Sequence, residues 1–317
     1  MLVSLYLFSG RANFSFDILI LRRYNIRERR SEPLTSQLRL SERCTKRVES
    51  MRVSLYVGLA IVIVSEILLA IGIGWVGIFF TPIVWTGYIL LMDGIVFRIR
   101  GESWIHTRRK RFLAMILLSA GFWYVFEFFN LFLKNWKYEG LPVPWITAIG
   151  MTWAFATIGP AMMETTDFVK ALGILKARKC RLRLKKGVLY ACMVLGVLFL
   201  TSIVLVPPAI AKYLAIPLWM SFILLLEPIN YLQGRESILH DLEKGSCGTL
   251  LSLLIAGLIC GFLWELFNYW AYARWTYEIP YASSPKVFEM PLLGYLGFPL
   301  LAVEYYAFYS VTLNWRR

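Results

Sequence analysis

The chain has 317 residues, 58% of them hydrophobic and 17% charged, and 34 lysines and arginines against 20 acidic residues give it a net charge of +14. Apolar runs long enough to cross roughly 30 Å of hydrocarbon exclude a water-soluble core. No folded basic module is visible, so nucleic acid is excluded as the partner of that charge, and anionic lipid together with membrane topology accounts for it.

In chain order, residues 1–50 come first: a short apolar run from Met1 to Ser9, then Arg-rich polar sequence without sustained periodicity. They read as a cytoplasmic leader, either disordered or upstream of the natural start, since Met51 opens the membrane-like stretch MRVSLYVGLAIVIV. Eight transmembrane helices are then predicted, at 53–80, 82–97, 112–133, 144–168, 187–207, 216–232, 248–272 and 290–312. Lysine and arginine collect after the second span (Arg98 to Arg111) and after the fourth (Lys170 to Lys186). The preference of positive charge for the inner side makes these loops cytoplasmic. Both termini then face the cytoplasm of a bacterial- or archaeal-type membrane, and the loops at 134–143 and 273–289 face outward. The five cysteines form no CxxC pair, and neither a disulfide framework nor a thiolate metal site is expected.

The chain repeats itself. Asp93, Glu102, Ser103, His106 and Lys110 recur as Glu227, Glu236, Ser237, His240 and Lys244, at one constant offset (227 − 93 equals 240 − 106). Glu127 and Asn130 answer to Glu265 and Asn268, Trp136 and Tyr138 to Trp275 and Tyr277, and Glu164 to Glu304. A unit this long points to two fused copies of one domain. The expected fold is thus an all-α integral membrane protein of two tandem four-helix repeats in parallel orientation. The first repeat covers 51–170, a basic cytoplasmic linker 171–186, and the second repeat 187–317.

Seven acids fall inside spans, where each costs roughly 2.5–3.5 kcal/mol to insert: Glu66, Asp93, Glu127, Glu164, Glu227, Glu265 and Glu304. Glu127 and Asn130 share one helical face, as do Glu265 and Asn268. If the twofold brings the third and seventh spans together, Glu127 and Glu265 meet, and two close carboxyls do not both ionise readily. The competing reading is that each Glu–Asn pair only ties helices together. Asp93 and Glu227 read as structural or substrate-pocket acids.

The pattern Glu-Ser-x-x-His occurs at Glu102–His106 and again at Glu236–His240. Two such turns meeting across a twofold would offer Glu102, His106, Glu236 and His240 to a divalent metal. The alternative is a helix start with Ser103 and Ser237 as N-caps.

The order of features from Glu265 to Tyr309, an aromatic span with a polar residue, a Trp-x-Tyr, a loop, a Gly-rich entry, a Pro and a Glu followed by aromatics, resembles the small membrane lycopene cyclase domains of the heterodimeric carotenoid type. Glu127 to Phe168 carries the corresponding text in the first copy. Those domains show a Pro-x-Glu-Glu followed by two phenylalanines; here single acids follow Pro160 and Pro299, and Tyr305 and Tyr306 follow Glu304. The resemblance implies protonation of a carbon–carbon double bond by a buried carboxylic acid, then ring closure through a carbocation.

The leading expectation is therefore an isoprenoid or lipid cyclase or isomerase working without an organic cofactor. Its acids would be Glu304, Glu164, Glu127 and Glu265, and its substrate pocket Asp93, Glu227, Asn130, Asn268, Trp136, Trp275, Tyr138, Tyr277 and Tyr305, with Trp123 and Trp264 as further wall residues. The alternatives are a lipid or small-solute transporter or binding protein with a midplane acidic site, and a structural membrane subunit working with a partner.

Overall fold

The computed structural model describes residues 34–175, 182, 184–280 and 284–313, with side chains described from residue 49 onward. Among the described residues, seven helices are long and apolar enough to cross a membrane. They are α1 (Leu34–Ala70, of which Glu49–Ala70 is the apolar part), α2 (Gly74–Arg100), α4 (Arg109–Leu133), α5 (Pro144–Ala171), α6 (Lys186–Leu205), α8 (Ala215–Leu232) and α10 (Gly248–Trp270). The short helices α3 (Trp104–Thr107), α7 (Pro208–Ala211) and α9 (Ile238–Glu243) lie between them. Strand β1 (Trp136–Glu139) follows α4, and β2 (Arg274–Tyr277) follows α10. The hairpin β3 (Lys286–Val287) and β4 (Met290–Pro291) and a 3-10 turn, Leu292–Leu296, lead into α11 (Gly297–Thr312).

Several boundaries differ from expectation, among them the start of the second span, at Gly74 rather than 82. The first span stops at Ala70 rather than 80, because Gly72 turns the backbone left-handed (φ 82°) and Ile73 is extended before α2 begins. The last begins at Gly297 rather than 290, because Pro291 and the 3-10 turn delay it; at 1.5 Å per residue α11 is about 24 Å long. Leu34 to Ser50 are helical and continuous with the first span, so position 51 is not a structural boundary, while residues 1–33 lie outside the described residues. Residues 176–181 and 183 of the basic linker lie outside them too. Cys247 is disulfide-bonded, contrary to the expectation of thiols alone, whereas Cys192 and Cys260 are free.

Helices α2, α5, α10 and α11 pack against one another in the middle of the bundle. Helix α1 lies along α2 and α6 along α8, and only 17% of the span residues of α1 and of α6 are buried, so both are peripheral. In lipid, helices gain little from hiding apolar side chains and associate where backbones approach closely. Gly58 of α1 makes that approach, since a Cβ there would stand 2.7 Å from the Gly87 oxygen of α2. Gly257 of α10 does the same, 2.5 Å from the Phe298 oxygen.

Gly58→Leu and Gly257→Leu should each cost about 1–3 kcal/mol by forcing helices apart. Gly121→Leu, where nothing lies within 4 Å of the added Cβ, should cost nothing measurable. Thermal unfolding midpoints in detergent check all three.

Candidate functional site

The strands pair antiparallel, with Trp136 opposite Tyr277 and Tyr138 opposite Trp275. Each strand's tryptophan thus faces the other strand's tyrosine. Two asparagines fix the strands to the helix ends. Asn130 donates through Nδ2 to the Trp136 carbonyl (2.8 Å) and accepts from the amides of Asn135 (2.9 Å) and Trp136 (3.3 Å). Asn268 donates to the Trp275 carbonyl (2.8 Å) and accepts from its amide (2.9 Å).

One turn earlier on each helix sits a carboxylate. Glu127 Oε1 accepts from Trp123 Nε1 (2.9 Å), Trp136 Nε1 (3.1 Å) and the Tyr138 hydroxyl (2.5 Å). Glu265 Oε1 accepts from the Tyr277 hydroxyl (2.7 Å) and Trp275 Nε1 (3.4 Å), and its Oε2 is buried without a hydrogen-bond partner. Burial first, then the adjacent carboxylate, holds the phenols of Tyr138 and Tyr277 well above the ordinary tyrosine value, so both remain donors. Glu127 and Glu265 are not joined to one another: each accepts hydrogen bonds from the aromatics of the strand that follows its own helix.

With their polar tips turned back to these acids, the rings wall a chamber of about 1050 Å3, its mouth included. Trp123, Trp136, Trp264, Trp275, Tyr138 and Tyr277 line it, and Trp219, Phe79, Phe155 and Phe298 join them. Trp219 was legible as the repeat partner of Trp85, but nothing in the sequence said that it faces the cavity while Trp85 is buried against Trp264 (ring centroids 5.4 Å). Among the described residues no charged side chain lines the chamber. Thr81, 5% exposed, does line it, and its hydroxyl has no hydrogen-bond partner.

The other expected site residues lie elsewhere. Glu164 and Glu304 are fully buried and neither lines the chamber; the Glu304 oxygens make no hydrogen bond, while Glu164 lies within hydrogen-bond range of the Asp93 carboxyl, a contact that needs a proton on one of the two. Tyr305 is buried too and donates to the Ser119 carbonyl (3.2 Å). Asp93 and Glu227 sit at the opposite end of the bundle, where they hold the starts of α3 and α9. Asp93 Oδ1 accepts from the Ile105 amide (2.8 Å), and Glu227 Oε2 from the Ile238 amide and the Ser237 hydroxyl (both 2.9 Å). A carboxylate at a helix N-terminus satisfies amides that have no helical partner. Ser103 and Ser237 are the N-caps, accepting from the amides of His106 and Leu239.

The expected metal set is not assembled. Glu102 pairs with Arg100 (3.3 Å) and Arg108 (3.2 Å), Glu236 accepts from Tyr306 (3.2 Å), and His240 Nδ1 lies 3.2 Å from the Arg235 carbonyl. His106 Nδ1 lies 2.5 Å from Asp93 Oδ2, and its Nε2 is 3.3 Å from the Ser54 hydroxyl of α1. Among the described residues no cluster of three His, Cys, Asp or Glu side chains suits a metal ion.

Burial opposes charge on His106, but the Asp93 carboxylate and the Ser50 carbonyl outweigh it and raise its value above the usual 6.5. The His106–Asp93 contact therefore contributes stability that is complete below 6.5 and is lost as pH rises through the raised folded-state value.

No protein-family model, curated protein or solved structure matches the chain. The likeness to lycopene cyclase domains rests on residue order alone.

The stability gap between wild type and His106→Asn should be widest in mildly acidic solution and close as the pH is raised above the ordinary histidine range, read from unfolding midpoints over a pH series. Ser237→Ala should cost about 1 kcal/mol through loss of the cap.

Proposed function

We propose that this protein binds a long apolar lipid of isoprenoid type in the aromatic chamber. The observation that carries this reading is the wall itself: indoles and phenols whose polar groups are turned away to Glu127 and Glu265, leaving ring faces toward a cavity without a charged side chain. Flat, polarisable faces suit a chain of double bonds, and they give an ion or a strongly hydrated solute nothing to replace its water.

We take the two halves to be tandem copies of one four-helix unit, inserted with the same polarity and related by a pseudo-twofold along the membrane normal. The matched roles of Glu127 and Glu265, of Asn130 and Asn268, and of Asp93 and Glu227 support this, as does the symmetric register of β1 and β2. The basic ends of α2 and α5 favour the cytoplasmic side for that end of the bundle.

A second reading, an acid-initiated isoprenoid cyclase or isomerase, is favoured by one specific feature. Glu265 keeps an unpartnered buried oxygen one hydrogen bond behind Tyr277, which lines the chamber. For this chemistry the Tyr277 hydroxyl would turn from Glu265 toward the substrate, giving its proton to a double bond while a protonated Glu265 gives its own to the Tyr277 oxygen. The carbocation would rest against the surrounding rings, and a proton lost after ring closure or bond migration would return to the carboxylate. Glu164 and Glu304 have no part in this version, because they lie away from the chamber.

Titrated with a polyprenyl lipid, the purified protein should show quenched tryptophan fluorescence. Trp136→Ala and Trp275→Ala should weaken binding about tenfold, equivalent to roughly 1.4 kcal/mol. Mass spectrometry of the recovered lipid separates the two readings: unchanged lipid supports binding alone, whereas a ring-containing or isomerised product abolished by Glu265→Gln supports the enzyme.

A further inference from the structure

The chamber carries one built polar spot. On α2, Ile78, Phe79, Thr81 and Pro82 all line it. A threonine in a membrane helix commonly donates its hydroxyl to the carbonyl four residues back, as Thr86 does to Pro82 (2.7 Å). For Thr81 that carbonyl is Gly77, which already accepts the Tyr272 amide at 2.9 Å, and the Thr81 hydroxyl is left buried without a hydrogen bond. The next residue deepens the gap. Pro82 has no N–H, so the Ile78 carbonyl does not receive the amide that an ordinary residue would supply there. A donor-acceptor hydroxyl and a carbonyl short of its helical donor thus occur within one turn of the wall.

Six of the other polar tips are occupied. Trp123, Trp136, Trp275, Tyr138 and Tyr277 are bonded to Glu127 or Glu265, and Thr147 donates to the Pro142 carbonyl (3.0 Å). Position 215, which answers to Thr81 at the repeat offset, is alanine, so the spot belongs to the first copy alone.

We infer that the chamber's ligand is a neutral, oxygen-bearing lipid, an apolar chain carrying an alcohol, whose hydroxyl donates to the Ile78 carbonyl and accepts from the Thr81 hydroxyl. This rests on the binding reading above and narrows it. A hydrocarbon would leave the Thr81 hydroxyl unpaired, and a carboxylate or phosphate would enter a wall with no cation to receive it.

The test uses full-length protein in detergent and three probes with the same polyprenyl chain: the alcohol, the hydrocarbon and the carboxylate, each titrated by tryptophan quenching. Wild type should bind the alcohol about five- to tenfold more tightly than the hydrocarbon, and the carboxylate more weakly than the alcohol. Thr81→Val keeps the side-chain shape and should bind alcohol and hydrocarbon alike; Thr81→Ser should retain the preference. Equal binding of alcohol and hydrocarbon by wild type, tightest binding of the carboxylate, or a preference that survives Thr81→Val would overturn the inference while leaving the binding reading in place. Failure of all three probes to bind would remove the binding reading itself.

Discussion

A carboxylate placed among apolar helices must find its hydrogen bonds inside the protein, because the surrounding hydrocarbon offers none. Much of this architecture follows from how four of these acids meet that demand. Asp93 and Glu227 draw in the amides at the starts of α3 and α9, which fixes the turns at one end of the bundle. Glu127 and Glu265 draw in indole and phenol groups, which fixes the strands at the other. The aromatic chamber is a by-product of this second solution: rings held by their polar edges present their faces to what lies between them.

The two ends consequently differ in character. The end with α3 and α9 is rich in exposed arginine and is knitted by ion pairs such as those of Arg100 with Glu102 and Asp167. Exposed pairs of this kind contribute little each, so the buried His106–Asp93 contact is the one there whose loss matters most. The strand end has few charges, and the exposed Lys137–Glu278 bridge (2.7 Å) merely spans the two strands. Glu164 belongs with the first end, since it lies within hydrogen-bond range of the Asp93 carboxyl. Glu304 answers to neither end and is buried without a hydrogen-bond partner.

The halves are alike without being identical. Tyr305 and Tyr309 of α11 reach across to the Ser119 and Met115 carbonyls of α4, so the second half's last helix is fastened directly to the first half. The clasp of His106 on Asp93 also has no counterpart, since His240 turns to the Arg235 carbonyl and lies against Tyr231 (ring centroids 4.4 Å). Thr81, which lines the chamber, likewise has alanine at the matching position 215.

Composition and spacing were enough to announce a helical membrane protein, the approximate spans, and the twin sets of acids and aromatics, because hydropathy and repeat offset are local properties that need no partner to be read. They also identified Trp136, Tyr138, Trp275 and Tyr277 as wall residues and Ser103 and Ser237 as caps. What linear text did not hold was which groups meet. That Glu127 and Glu265 each bind aromatics rather than one another, that Glu102 pairs with arginine rather than a metal, and that the Thr81 hydroxyl is stranded because Tyr272 takes its carbonyl, all depend on contacts between residues far apart in the chain. Hydrogen bonds reach about 3 Å, and only the packed helices decide which side chains come that close.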